Sequence, residues 1–313
     1  MPSTYPPVTV TFNPAIDETI FLDALQPGAV NRAIRSHRQA GGKGVNVSSL
    51  LAGFGIENTA TGFLGSDNPA IFEQLFATRG IHDEFIRIKG ETRTSLKIIA
   101  KQPAQTTDIN FPGISPTPHD LTTIAERLAH LAKPGRWFVI AGSLPPDLPP
   151  HSFANILTTL KNHGARIAVD TSGTPLELAI HAGVDLIKPN QHELAALTGI
   201  SPHDTRLLAA SARELQQRHV PHIILSFGPD GALFLTPDGS INLTAAPVDV
   251  VSTVGAGDAL LSGYLIGLLE NSPLESRARL ASGFAAHIVS DPTRTPPNRT
   301  TVASLATLPA IQH

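Results

Sequence analysis

The sequence predicts an α/β fold in which helices cover both faces of a mostly parallel sheet, with a small separate β-sheet as a lid. From Pro118 onward, apolar strands alternate with segments of helical spacing. Residues 19–38 and 85–112 instead alternate polar and apolar residues with no helix between the strands. We therefore predict an α/β core made of residues 1–18, 39–84 and 113–313. The β-sheet lid is predicted to consist of residues 19–38 and 85–112.

Composition excludes several classes of protein. The 313 residues carry a formal net charge of −3 without a basic block, which argues against nucleic acid or a membrane surface as partner. Cysteine is absent, so disulfides, thiolate metal sites and cysteine nucleophiles are excluded and a reducing cytoplasm is expected. The sequence has neither a run of roughly 18 apolar residues, as a membrane span needs, nor the pattern of a signal peptide at its start.

The first half of the chain combines core elements with the lid. We predict core strands at 8–12 and 59–64, helices after Asn46 and at 68–79, and lid strands at 85–89, 94–100 and 107–111. The helix after Asn46 follows the segment Gly41-Gly-Lys-Gly-Val-Asn46. Three glycines and a lysine before a helix suit a phosphorylated ligand, although a flexible turn with a solvated lysine has the same composition.

The second half alternates regularly. We predict helices at 119–132, 151–163, 175–182, 194–198 and 205–219, and strands at 137–141, 166–170, 185–187, 223–227, 232–236 and 241–243. The turns Gly228-Pro-Asp-Gly231 and Pro237-Asp-Gly-Ser240 indicate that the last strands are antiparallel. The β-branched run 248–254 predicts one more strand, which leads through a Gly-Ala-Gly turn into an apolar helix at about Asp258.

The segment Gly255-Ala-Gly-Asp258 indicates phosphoryl transfer to an alcohol. Its glycines let the backbone approach a ligand, and the free amides and dipole of the following helix form an anion site. A carboxylate beside that site suits a base that takes the hydroxyl proton, although Asp258 could instead only cap the helix. Two commoner nucleotide motifs are absent, since Leu260 replaces the third glycine of G-x-G-x-x-G and no G-x-x-x-x-G-K-[ST] occurs.

Several polar or glycine residues follow predicted strands. Because ligands bind at the carboxyl ends of parallel strands, we expect these residues to face one crevice: Ser143, Asn190, Glu193, Gly228 and Asp258. This convergence favours the catalytic interpretation of Asp258 over the cap.

Three motifs in this order resemble those of the ribokinase-like (PfkB) carbohydrate kinases over nearly the whole chain: Gly41-Gly-Lys-Gly-Val-Asn46, Lys188-Pro-Asn-Gln-His-Glu193 and Thr253-Val-Gly-Ala-Gly-Asp258. Within that family, further segments look like the bacterial 1-phosphofructokinases, namely Asn13-Pro-Ala-Ile-Asp17, Pro27-Gly-Ala-Val-Asn31 and residues 62–68, 107–111 and 250–253. The resemblance implies a ribokinase-like fold and transfer of a phosphoryl group from MgATP to the 6-hydroxyl of fructose 1-phosphate.

The resemblance also implies a role for each matching position. Asp258 would accept the sugar hydroxyl proton, and the transferring phosphate would lie on the amides of Gly255, Ala256 and Gly257. The sugar hydroxyls would be held by Asp17, Gly41, Gly42 and Asn46, and the existing phosphate by Lys43, Arg93, Lys97 and Ser143. ATP would be bound by Lys188, Asn190, Glu193, Ser226, Gly228, Gly231, Thr253, Gly255 and Gly257. Mg²⁺ would be held, through water or phosphate, by Asn190 and Glu193.

Physical chemistry supports the phosphate site, because guanidinium and ammonium groups are natural receptors for a dianion. Arg93, Ser95 and Lys97 fall on one face of a strand at period two, although such charges usually face solvent. Asn190 and Glu193 could instead form a reciprocal box at a helix start.

Other features leave alternatives open. Asp17 could be a turn residue. Ser95 stands where relatives commonly have asparagine, Ala259-Leu260 where Ser-Met is usual, and residues 291–297 depart from the family near the nucleotide pocket.

The competing functions are tagatose-6-phosphate kinase, PfkB-type 6-phosphofructokinase, a sugar-phosphate-binding regulator and a dehydrogenase. Lys43 argues against 6-phosphofructokinase, whose PfkB-type members can have glycine there. A regulator would be expected to lose the base or the glycines, both of which are present, and a dehydrogenase would need the missing glycine fingerprint. The exposed edge of the lid sheet predicts a homodimer.

Overall fold

The computed structural model describes residues 5–291 and 295–312, and within them the main sheet has eleven strands. Eight are parallel: β1 (Val8–Thr11), β4 (Thr59–Gly65), β5 (His82–Asp83), β6 (Ile86–Ile88), β9 (Trp137–Ala141), β10 (Arg166–Asp170), β11 (Leu186–Ile187) and β12 (His222–Ser226). Three antiparallel strands complete one side: β13 (Ala232–Thr236), β14 (Gly239–Leu243) and β15 (Ile311–Gln312). The spatial order is β15-β14-β13-β12-β11-β10-β9-β1-β4-β5, with β6 also paired to β4.

Helices cover both faces of this sheet. One layer contains α3 (Pro118–Leu131), α4 (Pro150–Asn162), α5 (Thr174–His181), α6 (Gln191–Thr198) and α7 (Thr205–Arg218). The other contains α1 (Lys43–Gly53), α8 (Ala256–Leu269), α9 (Leu274–Ser290) and α10 (Arg299–Leu305). No helix in the described part of the chain is both long and apolar enough to cross a membrane.

Strand β9 illustrates why the strands of this sheet are apolar without interruption. Phe138 and Ile140 pack in the core under α3–α7, whereas Trp137 and Val139 pack in the core under α1 and α8–α10. A strand buried on both faces shows no polar alternation, and the burial adds roughly 1.5–3 kcal/mol of stabilisation for each large side chain.

The small sheet has the order β3-β2-β7-β8. Its strands are β2 (Ala15–Leu22), β3 (Arg35–Gly41), β7 (Thr94–Lys101) and β8 (Ala104–Asn110). Helix α2 (Ala70–Arg79) packs beside it, and Phe72 and Phe76 share a buried cluster with Ile16 of β2. The predicted mostly parallel sheet, its antiparallel side and the separate small sheet are thereby confirmed.

One predicted strand was assigned to the wrong sheet, and another does not form. Residues 85–89 were expected in the lid, but β6 pairs with β4 of the main sheet, through Phe63↔Ile86 for example. An edge strand of the main sheet has the same alternation as a lid strand, so the pattern could not separate them. Residues 248–254 form no strand. Val250 and Val251 are more than half exposed, so their β-branched side chains pack in no sheet.

The limits of the lid strands also differ from the predicted boundaries. β2 and β3 stay hydrogen-bonded as far as Ala15↔Gly41, so the small sheet reaches into the segments assigned to the core. The division into two domains stays a prediction.

Candidate active site

The candidate site lies at the carboxyl ends of the parallel strands, where α8 begins. The N-cap of α8 is Gly255, with φ 85°, and no side chain caps the helix. A positive φ of this size is strained for any residue with a Cβ, which explains the glycine. Asp258 lies on the first turn and is 5% exposed, and its Oδ2 accepts a hydrogen bond from Asn46 Nδ2 at 2.7 Å. The alternative that Asp258 is only a helix cap is therefore wrong.

The surroundings of Asp258 make its carboxyl group an unusually strong base. Burial, followed by the negative charge of Asp170, raises the pKa of Asp258 to about 7. The hydrogen bond from Asn46 and the charges of Lys43 and Lys188 act in the opposite direction. A carboxylate with a pKa near neutrality is suited to accept a proton from an alcohol in the transition state.

An anion site adjoins this carboxyl. The amides of Gly255, Gly257 and Asp258 donate to no acceptor in residues 5–291 and 295–312. They stand at the positive end of the 14-residue helix α8. A Cβ on Gly257 would lie 3.1 Å from Lys188 Nζ, so the ammonium group is close beside these amides. Three free amides and a cation together can bind a phosphoryl group.

A buried ion cluster forms the floor of the site. Asp170, the last residue of β10, is 1% exposed, and its Oδ1 lies 3.1 Å from Lys43 Nζ. Its Oδ2 lies 3.3 Å from Lys188 Nζ. Burial opposes ionisation of Asp170, but Lys188 and Lys43 outweigh it and hold its pKa below the ordinary value. Burial likewise opposes the charge of Lys43, yet Asp170, Glu193 and Asp258 raise its pKa.

The sugar side of the site brings Asp17 and the glycine turn together. A Cβ on Gly41 would lie 2.3 Å from Asp17 Oδ2, so the carboxylate lies directly against the glycine backbone. Asp17 stands on β2 in a row with Gln39, Ser95 and Asn110, and is therefore a strand residue rather than a turn residue. Gly42 follows and is the N-cap of α1, whose first residue is Lys43.

Arg93 links the lid to the core. Its Nη1 donates to Phe111 O at 3.0 Å and its Nη2 to Asn13 O at 3.3 Å, while its Nε is buried without a hydrogen-bond partner in the described residues. Asn13 Nδ2 in turn donates to Ser143 Oγ at 3.2 Å. Burial lowers the pKa of Arg93, against the attraction of Asp17. The guanidinium thus keeps one N–H without an acceptor in the described residues, which leaves donor capacity for an anion.

Lys97 lies on β7, four residues after Arg93, and its Nζ is 2.5 Å from Asp108 Oδ1. Ser95 Oγ is hydrogen-bonded to Asn110 Oδ1 at 2.7 Å. The Ala259-Leu260 pair is buried in the core under α8 and α9, so that departure from the family bears on packing.

The nucleotide side contains the remaining predicted residues. Asn190 Oδ1 accepts from the amides of His192 and Glu193, and Glu193 Oε2 accepts from Asn190 N at 2.9 Å. This is the reciprocal box at the start of α6, so that interpretation is confirmed. Asn190 also pairs with Ser226 in a single parallel bridge, and the loop with Gly228 and Gly231 follows Ser226 directly.

The same residues can be tested for their fit to a metal. In the described part of the chain, no cluster of three His, Asp or Glu side chains could hold a metal ion directly. The box leaves Glu193 Oε1 without a hydrogen bond to described residues. Mg²⁺ keeps most of its waters in kinase sites, so one carboxylate held at a helix start fits a hydrated metal. Thr253 is exposed in the loop before α8, and residues 292–294 of the departing tail lie outside the described residues.

Two residues of this site received no role in the sequence analysis, namely Asp170 and Asn13. Asp170 lies at the end of a predicted buried strand, and position at a strand end is the pattern by which Ser143 and Asn190 were predicted to face the site. Asn13 stands inside the Asn13-Pro-Ala-Ile-Asp17 motif, but nothing in the sequence indicates its contact with Ser143, 130 residues away.

Comparisons with known proteins agree with this geometry. The family model described as "pfkB family carbohydrate kinase" matches residues 10–301. A 1-phosphofructokinase of Xanthomonas campestris pv. campestris is 44% identical over 283 residues, 89% of each chain. One of Rhodobacter capsulatus is 37% identical over 301 residues, 95% of each chain. Phosphofructokinase-2 of Escherichia coli in complex with fructose-6-phosphate superposes with a TM-score of 0.87 at 25% identity, over 96% of this chain and 98% of that one.

Proposed function

The chain belongs to the pfkB family of carbohydrate kinases, and on that premise we propose that it phosphorylates fructose 1-phosphate at the 6-hydroxyl, giving fructose 1,6-bisphosphate and ADP. The observation that carries the proposal is the buried Asp258 carboxyl, with its pKa raised to about 7, beside the free amides at the start of α8. The two 1-phosphofructokinases compared above are 44% and 37% identical to this chain, against 25% for phosphofructokinase-2.

Each group of residues in the site has a separate role in the proposed reaction. Asp258 takes the proton of the 6-hydroxyl. The hydroxyl oxygen of the sugar forms a bond to the γ-phosphorus of ATP, and the bond between that phosphorus and the oxygen that leaves with ADP breaks. The free amides of Gly255, Gly257 and Asp258, with Lys188 beside them, stabilise the charge that develops on the phosphoryl oxygens. The amide of Ala256, which the sequence also assigned to this anion site, instead donates to Thr253 O at 3.3 Å. Asp17, Gly41, Gly42 and Asn46 orient the sugar, and its existing phosphate is held by Lys43, Arg93, Lys97 and Ser143.

ATP and magnesium are the proposed cofactors. Ser226, Gly228, Gly231 and Thr253 bind the nucleotide, and Asn190 and Glu193 hold Mg²⁺ through water or phosphate. When bound, the metal neutralises charge on the phosphate oxygens. We place the enzyme in the cytoplasm, which the lack of cysteine supports.

The substrate can be decided by one comparison of MgATP-dependent ADP release. Fructose 1-phosphate, fructose 6-phosphate and tagatose 6-phosphate are assayed side by side. We expect kcat/KM for fructose 1-phosphate to exceed both others by more than about a hundredfold, or about 2.7 kcal/mol of transition-state stabilisation. A preference for a 6-phosphate would contradict the substrate and move the phosphate to the other end of the sugar. Binding without turnover of any of them would instead favour the sugar-phosphate-binding regulator.

The activity is expected to fall in acid with a midpoint near pH 7. Only the ionised Asp258 can accept a proton, and its pKa is raised to about 7, so kcat is retained above that pH and is lost below it. The measurement is kcat at saturating substrates between pH 5.5 and 9. A flat profile down to about pH 5.5, where an ordinary carboxyl would still be ionised, would contradict this assignment of the base.

We further propose that the lid sheet joins two copies of the chain. Its edge strand β8 is largely exposed, and Ile109 and Phe111 expose 43% and 48% of their surface there. Unpaired strand edges of this kind pair readily with another chain. Light scattering should give the mass of two chains, and Ile109→Asp should give that of one. Leu207→Asp, at an apolar residue of α7 that is 52% exposed, is the control and should stay dimeric. A wild-type monomer would refute the dimer.

A further inference from the structure

Asp170, at the floor of the active site, is a carboxylate to which no role in substrate binding or catalysis has been assigned. Asp170 ends β10 between β9 and β11, in the middle of the sheet. Its two oxygens each contact one ammonium group, Lys43 at 3.1 Å and Lys188 at 3.3 Å. Asp170 is 1% exposed, so its contacts with the two lysines are shielded from solvent, unlike those of a surface ion pair.

The two lysines come from opposite sides of the site. Lys43 begins α1 directly after the glycine turn that faces Asp17, and so belongs to the phosphosugar side. Lys188 follows β11, and its ammonium group lies against Gly257 at the start of α8, which is the nucleotide side. One buried carboxylate therefore fixes the position of a cation on each side of the transferring phosphoryl group.

Asp258 has a different kind of partner. Its hydrogen bond comes from the neutral amide of Asn46, and within residues 5–291 and 295–312 no Lys or Arg nitrogen lies within the 4.0 Å of an ion pair. Both lysines are nevertheless near enough for their charge to act on it. An ammonium group paired with Asp258 would stabilise the carboxylate and weaken it as a base.

We propose that Asp170 is a positioning residue, which holds Lys43 and Lys188 in place and keeps both ammonium groups off the Asp258 carboxylate. The proposal rests on the proposed function only where it takes Asp258 as the catalytic base. Without Asp170, the buried Lys188 and the half-buried Lys43 lose their shared counter-ion. The carboxylates that still act on Lys43 are Glu193, which is held by Asn190 N at the start of α6, and Asp258. Pairing with Asp258 is then the favourable response to an uncompensated charge.

The variant Asp170→Asn tests this role, because it removes the negative charge and keeps nearly the same side-chain shape. We expect kcat to fall about tenfold or more, KM for both substrates to rise, and the acid limb of kcat to move about one unit lower. Asp170→Glu keeps the charge and should return the acid limb to near pH 7. Asp185→Asn is the matched control, because Asp185 is a half-buried carboxyl that accepts from Ile167 N at 2.8 Å at the opposite end of the parallel strands. It should leave the acid limb unchanged.

A second readout does not depend on turnover. In protein labelled with ¹³C at the aspartate carboxyl carbon, the resonance that disappears in Asp258→Asn identifies Asp258. Its titration midpoint should lie near 7 in the wild type and lower in Asp170→Asn. The charged groups that act on Asp258 or on its neighbouring lysine are Asp170, Lys43, Lys188 and Glu193, and only the first is changed.

The outcomes separate the two proposals. If the wild type turns over no phosphosugar but the midpoint still falls in Asp170→Asn, the proposed function fails and the role of Asp170 stands. If Asp170→Asn does not fold, the double variant with Lys188→Met restores the balance of buried charge, and Lys43 alone should still lower the midpoint. An unchanged midpoint in whichever variant folds, with kcat within twofold of the wild type for Asp170→Asn, would overturn the role of Asp170.

Discussion

Asp258→Asn is expected to lower kcat about a thousandfold or more and to leave KM for both substrates within about threefold. General base catalysis contributes roughly 10²–10⁴-fold, and an amide oxygen cannot accept the proton. The variant keeps the shape of the side chain and can still accept the hydrogen bond from Asn46 Nδ2. Ground-state binding should therefore persist, because the phosphate and hydroxyl contacts of the substrates are made by other residues. Initial rates over a matrix of both substrate concentrations give the two constants separately.

The stability of Asp258→Asn provides the control for folding. The pKa of Asp258 is raised in the folded protein to about 7, so the fold binds the proton more tightly than the unfolded chain does. The contribution of this group to stability is then fully present below the unfolded pKa of about 4 and is lost as the pH rises towards 7. Removing the ionisable group should leave Tm at pH 8 unchanged or higher. A kcat within tenfold of the wild type in a folded variant would contradict the role of Asp258 as the base.

Periodicity alone located most of the fold, because burial on both faces forces the strands of the main sheet to be apolar throughout. The same rule failed where one side of a strand is exposed. The segment 86–88 at the edge of the main sheet has the alternation of a lid strand, and register with a partner is a long-range property. The valines at 250 and 251 were misassigned because β-branched residues favour strands only where they have a surface to pack on.

The site was predicted to the extent that glycine turns and strand ends mark it. Asn46 contacts Asp258, and Lys43 and Lys188 contact Asp170. Asn46, Asp258 and both lysines each stand in a motif visible in the sequence. Asp170 itself was missed, since a single aspartate after a buried strand does not reveal which cations will surround it. The choice between a capping and a catalytic Asp258 likewise depended on Asn46, 212 residues away.

Arg93→Gln is expected to raise KM for the phosphosugar about 30- to 100-fold with kcat within a few-fold. A hydrogen bond to a charged group contributes roughly 1.5–3 kcal/mol, and the phosphate it would hold carries its charge before and during the reaction. Loss of such an interaction weakens the ground state and the transition state equally, so the change appears in KM. Lys43→Gln should act in the same direction, with an added effect on kcat because Lys43 also contacts Asp170.

Lys97→Gln gives the matched comparison on the same face of the lid strand. Lys97 Nζ lies 2.5 Å from Asp108 Oδ1 and would have to leave that carboxylate to reach the substrate. Arg93 Nε, in contrast, is buried with no partner in the described residues. We therefore expect Lys97→Gln to raise the phosphosugar KM less than about threefold, because Lys97 holds the phosphate only by giving up its ion pair with Asp108 and so gains little net free energy on binding. KM for MgATP should stay unchanged in both variants. A phosphosugar KM unaltered by Arg93→Gln would place the phosphate elsewhere. An equal rise in Lys97→Gln would mean that Lys97 contributes as much to phosphate binding as Arg93, despite its pair with Asp108.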